Sequence, residues 1–291
     1  MEFLTPGKIV KMLQDGEIEI RKHLGQNFLI DRNTRDKILS HAEIDHEDTV
    51  VEIGPGMGSL TDVLVEKAKT VYAFEIDQQL CSFLEERFAG LDNFHLIEKD
   101  FLQVSEEWWQ SLPSKVKLIS NTPYYMSSQI AFSVIRLREK IKTALLTVQK
   151  EVGEKITGKP GNKNYGAISV LSHIYTDSKI CYSLSKNVFF PKPEVNSVVV
   201  KIEPLEKPKF HIEEEKLFRD FLSRIFMLRR KKLINVANKM FGIDKEEFKK
   251  AAKMANIVPD ARAEDLSPEE ICSIFGIVKD SIDEINSNSS Q

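Results

Sequence analysis

The sequence contains few cysteines, and they lie far apart. Only three occur among 291 residues, at Cys81, Cys181 and Cys272, without a C-x-x-C pair. Disulfide scaffolds and structural zinc sites need cysteines in larger numbers or at short spacings. We therefore expect no disulfide framework, no metal site and a reducing, cytoplasmic location.

Long hydrophobic runs are also missing. No uninterrupted apolar stretch approaches the roughly 20 residues that a membrane-spanning helix needs. The first 20 residues, MEFLTPGKIVKMLQDGEIEI, are interrupted by charges, by Pro6 and by two glycines, and they lack the apolar core of a signal peptide. The sequence therefore predicts a protein that has neither a membrane span nor a secretory leader.

Positive charge is not in excess overall, because 41 Lys and Arg stand against 44 Asp and Glu. The basic residues are nevertheless concentrated at 136–163 and 219–232, and the second stretch ends in the run R-R-K-K at 229–232. Such segregation permits a basic face that binds phosphate in spite of an acidic total. Ordinary solvated helix faces are the alternative, and on charge alone they are the more frequent explanation.

Short β-branched runs alternate with helical spacing through residues 49–202. Strands are predicted at 49–53, 71–76, 95–97, 116–119, 144–148 and 197–202. Helices are predicted at 59–69 and 79–88. Alternation of this kind is typical of a parallel, doubly wound α/β sheet that is covered by helices on both faces.

The chain changes character after residue 202. A charged connector with two prolines, E-P-L-E-K-P, occupies 203–208 and is the best linker candidate. Beyond it lie segments with helical periodicity, at 213–240 and 245–255. We therefore predict two domains, an α/β domain at 1–204 with an N-terminal extension at 1–30 and a small all-α domain at 205–291.

A glycine-rich loop follows the first predicted strand. It reads E-I-G-P-G-M-G at 52–58 and leads into the first predicted helix. Without Cβ atoms the backbone can turn sharply there and approach a ligand closely. Ser59 stands where a dinucleotide-binding G-x-G-x-x-G fingerprint has its third glycine, and the loop carries no Lys-Ser/Thr pair for a triphosphate. The loop therefore favours neither NAD nor ATP.

Acidic side chains stand at the ends of the next two strands. Glu75 ends the second strand, 21 residues after Gly54. A carboxylate at that position can accept both ribose hydroxyls of a nucleoside ligand. Asp100 follows the third strand, where it either accepts the exocyclic amine of an adenine or caps a turn. Glycine loop and strand-terminal acid together indicate a cofactor that contains a nucleoside.

The tetrad N-T-P-Y at 121–124 follows the fourth strand. Thr122 precedes a proline, which favours an extended conformation that exposes its carbonyl. The side-chain oxygen of Asn121 and this carbonyl can accept hydrogen bonds from one NH₂ group, and Tyr124 offers a ring on which a base can stack. The alternative is a simple proline turn with a buried tyrosine.

Together these residues resemble class I S-adenosylmethionine-dependent methyltransferases that act on exocyclic amino groups. Further motifs sharpen the resemblance, namely H-L-G-Q-N-F-L at 23–29, Q-K-E-V-G-E at 149–154, Y-G-A at 165–167, F-F-P-K-P-E-V-N-S at 189–197 and F-M-L-R-R-K-K-L at 226–233. The whole set is similar to the small-subunit ribosomal RNA adenine dimethyltransferases. The resemblance implies a Rossmann-like fold, S-adenosylmethionine as cofactor, and dimethylation of two adjacent adenosines near the 3′ end of the small-subunit (16S) rRNA.

The resemblance also implies roles for individual residues. The cofactor is expected to contact Asn27 and Leu29 at its methionine portion, Gly54 beside it, Glu75 at the ribose, Asp100 at the adenine, and Asn121. The target base is expected between the rings of Tyr124 and Phe189. Asn121 and Thr122 are expected to accept the hydrogens of its amine. In this reading the partner is small-subunit rRNA, in the 30S subunit or its precursor, and the protein acts as a monomer with a role in subunit biogenesis.

The basic run is expected to contact rRNA. Arg229, Arg230, Lys231 and Lys232 are predicted to occupy a full helical turn, so they cannot all point in one direction. Some of them are expected to bind rRNA phosphates. Others are expected to pair with acids such as those at 213–215, while Leu228 and Leu233 face the core.

The tetrad departs from the family pattern N-L-P-Y-N at two positions. Thr122 replaces leucine, and its side chain can vary if the position contributes its carbonyl. Tyr125 replaces the second asparagine and bears on how tightly the pocket orders the target base. These changes lie beside the residues that are expected to hold the reacting amine.

Three other functions are compatible with parts of the sequence. The nearest is an antibiotic-resistance dimethylase of large-subunit rRNA, which shares the cofactor motifs. Leu24-Gly25 and the run at 229–232 favour the small-subunit family instead. A non-catalytic RNA-binding assembly factor with the same fold is the second alternative, and methyl-transfer assays distinguish it. A NAD-dependent oxidoreductase is the third, disfavoured by Ser59.

Overall fold

The computed structural model describes residues 5–21, 24–113 and 115–288, with side chains up to residue 282. His23 of the H-L-G-Q-N-F-L motif lies outside the described residues. The chain forms two compact units, of which the first comprises Met1–Gly153 and Asp177–Leu205 and the second comprises Glu154–Thr176 and Glu206–Gln291.

The strands belong to the first unit, except that β7 starts one residue before it. In chain order they are β1 (Phe28–Leu29), β2 (Thr49–Ile53), β3 (Thr70–Glu75), β4 (Phe94–Glu98), β5 (Val116–Asn121), β6 (Ile141–Gln149), β7 (Thr176–Leu184), β8 (Phe189–Phe190) and β9 (Ser197–Pro204). The predicted strands agree with β2 to β6 and β9, apart from one to three residues at their ends. β1, β7 and β8 were not predicted, because two are only two residues long and the third is polar and exposed along much of its length.

The helices are given next in chain order. They are α1 (Pro6–Gln14), α2 (Arg32–Ser40), α3 (Thr61–Lys67), α4 (Gln78–Arg87), α5 (Glu106–Ser111), α6 (Ser127–Arg136), α7 (Lys150–Ile156), α8 (Ala167–Tyr175), α9 (Glu215–Met227), α10 (Leu233–Phe241), α11 (Lys245–Met254) and α12 (Pro268–Asn288). Short 3₁₀ helices occur at Phe101–Gln103, Tyr124–Met126, Lys186–Val188 and Ala263–Asp265. Among the helices of the described residues, none has the length and apolar character needed to cross a membrane.

The central sheet has the strand order β4-β3-β2-β5-β6-β9-β7. Strands β4 to β6 in this order run parallel, whereas β9 is antiparallel to β6. The predicted α/β class is therefore confirmed, with one strand reversed. β2 and β5 are buried along nearly their whole length, as expected for central strands of a covered sheet, although β5 includes Lys117 and Ser120. The strand order changes direction between these two strands, and ligands of such sheets bind at this point beyond the carboxyl ends.

The second unit contains helices α8 to α12. Its α8 is apolar around most of its circumference, with all but two of its nine residues buried, and it contacts α9 and α12. This explains why Glu154–Thr176 groups with the C-terminal helices, although the sequence placed it in the α/β domain. The chain passes from one unit to the other after residues 153, 176 and 205, and the boundary predicted between residues 204 and 205 lies next to the last of these.

The helical periodicity predicted for 213–240 is interrupted in the structure. α9 ends at Met227 and α10 begins at Leu233, so residues 228–232 form a turn between two helices. The expectation that the basic run occupies a helical turn is therefore wrong. Lys232 is extended and forms a β-bridge with Arg262. This extended residue separates α9 from α10. Leu233 is buried as expected, at 1% exposure, and Leu228 is half-buried.

Candidate active site

A cavity lies at the point where the strand order reverses. It is bordered by the loops after β2, β3, β4 and β5 and by the segment around β1. The predicted site residues that line it are Asn27, Leu29, Gly54, Glu75, Asp100, Asn121, Thr122 and Tyr124. The fold thus brings together residues that are separated by nearly one hundred positions in the sequence.

The glycine loop forms the floor of the cavity. Gly54 and Gly56 have φ angles of +68° and +59°, which side-chain-bearing residues rarely adopt. A Cβ at Gly54 would lie 3.5 Å from the Pro123 ring, and a Cβ at Gly56 would lie 3.0 Å from the Phe28 ring. The positive φ angles favour glycine at both positions, and at Gly56 the Phe28 ring also leaves little room for a Cβ.

Glu75 is held in place by backbone groups. Its Oε1 accepts hydrogen bonds from the N–H groups of Ile76 and Asp77 at 2.9 and 3.1 Å, and its Oε2 accepts a longer one of 3.3 Å from Gly56. Burial, to 7% exposure, raises the pKa of the carboxyl, and the three backbone donors act in the opposite direction. The carboxylate is thus oriented by the protein alone, as a preorganised acceptor for a ligand must be.

Asp100 caps a helix and lines the cavity at the same time. Its Oδ1 accepts a hydrogen bond of 2.9 Å from the N–H of Leu102, and the residue is the N-cap of Phe101–Gln103. It also borders the cavity, as expected for a residue that recognises a cofactor. The two interpretations of the sequence are therefore compatible, because one carboxylate oxygen can cap the helix while the residue faces a ligand.

The amide of Asn121 is oriented by a backbone carbonyl. Its Nδ2 donates a hydrogen bond of 2.9 Å to the carbonyl oxygen of Asn27. This interaction distinguishes the two ends of the amide and directs Oδ1 away from Asn27. Because Asn27 precedes β1 and Asn121 ends β5, the bond joins two cavity walls that are far apart in the sequence. The result is an acceptor oxygen in a defined orientation at the cavity.

Thr122 is engaged inside the protein through both of its donors. Its N–H donates to the carbonyl of Thr147 at 3.1 Å, and its hydroxyl donates to Ser120 Oγ at 3.0 Å. The residue as a whole is only 2% exposed, and it borders the cavity. The carbonyl oxygen is therefore the group of Thr122 that can serve a ligand, which is consistent with a side chain that differs from the family leucine.

The ring of Tyr124 is tied to the start of β9. Its hydroxyl lies 2.6 Å from Ser197 Oγ, and Ser197 is fully buried. Burial raises the pKa of the phenol, so Tyr124 remains neutral at physiological pH. Ser197 is the last residue of the F-F-P-K-P-E-V-N-S motif, and this contact gives the motif a structural link to the tetrad.

Phe189 does not occupy the position expected from the sequence. It is 3% exposed, packs in the core with Leu29 and Val199, and is not among the described residues that line the cavity. Its strand β8 pairs with β1 so that Phe189 is opposite Leu29, while Phe190 is opposite Phe28. Side chains alternate across a strand, so this register places Phe189 in the core. The expected stacking of Phe189 on a target base thus has no counterpart in this arrangement.

Glu52 is a cavity residue to which sequence analysis gave no role. Its Oε2 accepts a hydrogen bond of 2.7 Å from Thr61 Oγ1, while Oε1 is buried without a hydrogen-bond partner among the described residues. Burial raises the pKa of this carboxyl to about 8, so it is largely protonated at neutral pH. The feature of the sequence that could have identified Glu52 is its position as the single acid in the otherwise mostly apolar strand β2.

Tyr125 stands at the rim of the cavity with 54% of its surface exposed. Gly25 approaches it closely, since a Cβ there would lie 3.5 Å from Tyr125 Cδ1. Burial raises the pKa of its phenol, and Asp100 and Glu75 act in the same direction. The departure from the family asparagine therefore adds an aromatic ring beside the opening and the two carboxylates.

The basic run divides into two pairs within the second unit. Arg229 donates to the carbonyl of Lys163 at 2.6 Å and lies 3.6 Å from a Glu264 oxygen. Lys232 forms an ion pair of 2.7 Å with Asp260. Arg230 and Lys231 are exposed to solvent.

The acids that pair with this run differ from the expected ones at 213–215. Glu213 pairs with Lys279, and Glu215 lies 3.5 Å from Arg219. The expectation that such acids pair with the basic run is therefore wrong for both of them. The reason is that the run lies in a turn beside residues 260–264, whereas Glu215 belongs to the first turn of α9.

Glycine loop, strand-terminal carboxylate and oriented asparagine at the reversal point of an open α/β sheet define a nucleoside-binding methyltransferase of the S-adenosylmethionine-dependent class. The residues fit this cofactor, because the cavity combines two carboxylates at strand ends with a glycine loop of positive φ that a ligand can approach closely. The sequence profile of the ribosomal RNA adenine dimethylase family matches residues 18–280, and the chain belongs to this family. It is an S-adenosylmethionine-dependent rRNA adenine dimethyltransferase, and the predicted enzyme class and cofactor are confirmed.

Similar proteins span nearly the whole chain. It is 40% identical over 269 residues to the ribosomal RNA small subunit methyltransferase A of Clostridium botulinum (strain Okra), covering 92% of this chain and 96% of that protein. The protein of the same name from Moorella thermoacetica is 37% identical over 279 residues, with coverages of 93% and 96%.

The fold is similar to that of solved structures. A dimethyladenosine transferase from Plasmodium falciparum matches with a TM-score of 0.70 and 24% identity, covering 87% of this chain and 98% of that chain. The 23S rRNA methyltransferase ErmE matches with a TM-score of 0.65 and 23% identity, covering 87% of this chain and 100% of that chain. At these identities the likeness supports the fold alone.

Proposed function

We propose that this enzyme dimethylates the N6 amines of two adjacent adenosines near the 3′ end of small-subunit rRNA, giving N6,N6-dimethyladenosine. The observation that carries this proposal is the orientation of Asn121 by the Asn27 carbonyl, beside the Thr122 carbonyl and the anchored ring of Tyr124. The choice of the small subunit is supported by the names of relatives that are 37% and 40% identical.

The cofactor would be held along the ends of the central strands. Glu75 would accept the ribose hydroxyls and Asp100 the amine of the cofactor's adenine. Gly54 allows close backbone approach, and Asn27 and Leu29 would contact the methionine portion. When bound, S-adenosylmethionine supplies an electrophilic methyl group on a positively charged sulfur.

The tetrad would make the target amine reactive. The lone pair of an adenine amine is delocalised into the ring, which makes the nitrogen a poor nucleophile. Acceptance of its two hydrogens by Asn121 Oδ1 and the Thr122 carbonyl favours a pyramidal nitrogen with a localised lone pair. A strong general base is not required, because the nitrogen becomes acidic once it is alkylated. The residues thus act by positioning and by charge complementarity.

The target adenosine must leave its stack to reach this site. Tyr124 offers one ring for the extruded base, and its hydroxyl is held by Ser197 so that the ring has a defined orientation. Phe189 was expected to cover the second face, and that role requires β8 to rearrange when RNA binds. We propose that the substrate is the small subunit or its precursor, and that one chain in the cytoplasm acts as a monomer.

Methyl transfer to purified ribosomal particles tests the proposed function. Small subunits that lack the modification are incubated with the protein and labelled S-adenosylmethionine, and the modified nucleotides are mapped by mass spectrometry of nuclease fragments. We expect dimethyladenosine at two adjacent positions near the 3′ end of the small-subunit rRNA. Large subunits and naked large-subunit rRNA are the matched controls. Labelling of the large-subunit rRNA instead would indicate the resistance-type dimethylase, and binding without methyl transfer would indicate an assembly factor.

The two pairs within the basic run predict different effects of mutation. Arg230→Ala with Lys231→Ala removes two exposed charges, so binding to the small subunit should weaken and its salt dependence should flatten. The slope of log K against log salt should fall by about 0.7–0.9 for each phosphate contact that is lost. The thermal stability should stay close to that of the unmodified protein, because both side chains are exposed.

Arg229→Ala is the matched control from the same turn. It removes a hydrogen bond to the Lys163 carbonyl and the contact with Glu264, so it should lower the free energy of unfolding by about 1 kcal/mol. The measurements are subunit affinity at several salt concentrations and thermal denaturation of each variant. An unchanged salt slope in the Arg230 and Lys231 variant would show that these residues do not contact RNA.

A further inference from the structure

Helix α1 precedes the residues that the family profile matches, which begin at residue 18. Thr5 caps it by accepting a hydrogen bond from the N–H of Lys8, and Pro6 occupies its first turn. Ile9 and Leu13 are four positions apart and lie on one face. They are 3% and 7% exposed, so α1 buries a narrow apolar face although most of its surface is in solvent.

The apolar face of α1 packs against the cofactor cavity. Ile9, Leu13 and Ile18 form one cluster with three residues of the site region, which are Phe28, Met57 and Leu80. Met57 belongs to the glycine loop, and Leu80 lies in α4 directly after the strand that ends in Glu75. Ile9 itself lines the cavity, whereas Leu13 and Ile18 are not among the described residues that line it. α1 therefore supplies Ile9 to the wall and Leu13 to its support, and the segment after the helix adds Ile18 to the same cluster.

The segment after α1 is anchored to the residues beside Glu75. Gln26 accepts a hydrogen bond of 2.7 Å from the N–H of Arg21 and donates one of 2.7 Å to Asp77 Oδ2. Asp77 is fully buried, and its N–H in turn donates to Glu75 Oε1. A continuous chain of hydrogen bonds thus links the N-terminal segment to the carboxylate that would bind the ribose.

A second pair of contacts anchors the same segment to the first turn of α4. The N–H of Glu19 donates to Gln79 Oε1 at 2.9 Å, and Gln79 Nε2 donates to the carbonyl of Glu17 at 3.2 Å. Gln79 belongs to the first turn of α4, which begins immediately behind Asp77. Polar anchors and apolar packing therefore hold the segment against the same side of the cavity.

We infer that α1 is a cofactor-binding element of this enzyme, with Ile9 as a wall of the S-adenosylmethionine site and the helix as a cover that slows cofactor exchange. The inference rests on the cofactor site proposed above. An apolar wall excludes water from the cavity, and its loss exposes the ligand and the neighbouring apolar residues to solvent. Cofactor dissociation should therefore depend on a helix that lies outside the family profile.

Ile9→Ala tests this inference, with Leu13→Ala as the matched control. Both substitutions remove apolar atoms from the same cluster and the same helix face, but only Ile9 lines the cavity. The probe is S-adenosylhomocysteine, whose Kd is measured by calorimetry and whose dissociation rate is measured by stopped-flow displacement. Ile9→Ala removes three apolar carbons, only some of which face the ligand, so Kd should rise by about fivefold to twentyfold, mainly through faster dissociation.

Thermal denaturation without ligand separates binding from stability. We expect Ile9→Ala and Leu13→Ala to lower Tm to a similar extent, while Leu13→Ala changes Kd much less. Equal increases in Kd for both variants, or an unchanged Kd for Ile9→Ala, would overturn the inference. If Ile9→Ala does not fold, Ile9→Val provides the same comparison, and an unchanged Kd in that variant would also overturn it.

A variant of the proposed ribose-binding carboxylate distinguishes the two possible failures. If Glu75→Ala weakens binding and Ile9→Ala does not, the cofactor site stands and only the role of α1 is wrong. If neither substitution changes Kd, the proposed cofactor site itself is wrong.

Discussion

Replacement of Asn121 by alanine is expected to lower the rate of methyl transfer by at least about two orders of magnitude, the effect of losing one preorganised hydrogen bond in a water-excluded site. Asn121 Oδ1 would accept a hydrogen from the reacting amine, and its orientation depends on the bond between Nδ2 and the Asn27 carbonyl. The loss should appear in the chemical step, because the amine interacts most strongly as its lone pair forms the new bond.

Single-turnover methylation of small subunits measures this effect directly, and calorimetry with S-adenosylhomocysteine measures cofactor affinity in parallel. Asn93→Ala is the matched control, since the Nδ2 of Asn93 also donates to backbone carbonyls, those of Val65 and Ala68, but Asn93 is not among the described residues that line the cavity. That variant should keep most of its single-turnover rate. Near-normal turnover in Asn121→Ala would exclude Asn121 as the amine acceptor.

Glu75→Ala is expected to weaken S-adenosylmethionine binding by about 1.5–3 kcal/mol, which corresponds to roughly 10-fold to 150-fold in Kd. The substitution leaves both ribose hydroxyls without their acceptor. It also releases the backbone N–H groups of Gly56, Ile76 and Asp77, so thermal stability must be measured together with affinity.

Glu98→Ala is the matched control for this variant. Glu98 ends β4 and pairs in register with Glu75, but it is exposed and is not among the described residues that line the cavity. Its removal should leave Kd unchanged. A Kd that is also unchanged in Glu75→Ala would remove Glu75 from the cofactor site.

The pH dependence of binding offers a second measure of Glu75. Because burial raises the pKa of this carboxyl, protonation begins at a higher pH than for an ordinary glutamate. The protonated form accepts hydrogen bonds from two hydroxyls less well, so affinity should decline as the pH falls through this raised pKa. Glu75→Ala should lack that decline.

Local sequence was sufficient to locate most of the predicted residues that line the cavity. They lie at the ends of strands that the sequence pattern predicts clearly. β2 reads as a mostly apolar, β-branched run and β5 as a short run of Val116, Leu118 and Ile119, so the positions that follow them could be located from the sequence. The order and parallel arrangement of the strands then place those ends at one edge of the sheet. Glu75, Asp100 and Asn121 were found in this way.

The pairing register of the short strands and the packing between distant segments could not be predicted from the local sequence. Phe189 is directed into the core because β8 pairs with β1 in one particular register, and a strand of two residues carries no periodicity that would reveal this. Arg229 contacts Lys163 and Glu264, which depends on the return of residues 154–176 to the C-terminal helices. Charge alone could not separate it from Arg230 and Lys231.

The sequence by itself determined the α/β class, the positions of the main strands and the residues at their carboxyl ends, since these follow from periodicity, glycine conformation and chain direction within a few residues. Only the tertiary structure decided which side chains face the cavity. It turned Phe189 into the core, brought Ile9 from the N-terminal helix to the wall of the cavity, and oriented Asn121 through Asn27. These outcomes depend on contacts between segments that are distant in the chain, and no local propensity encodes such contacts.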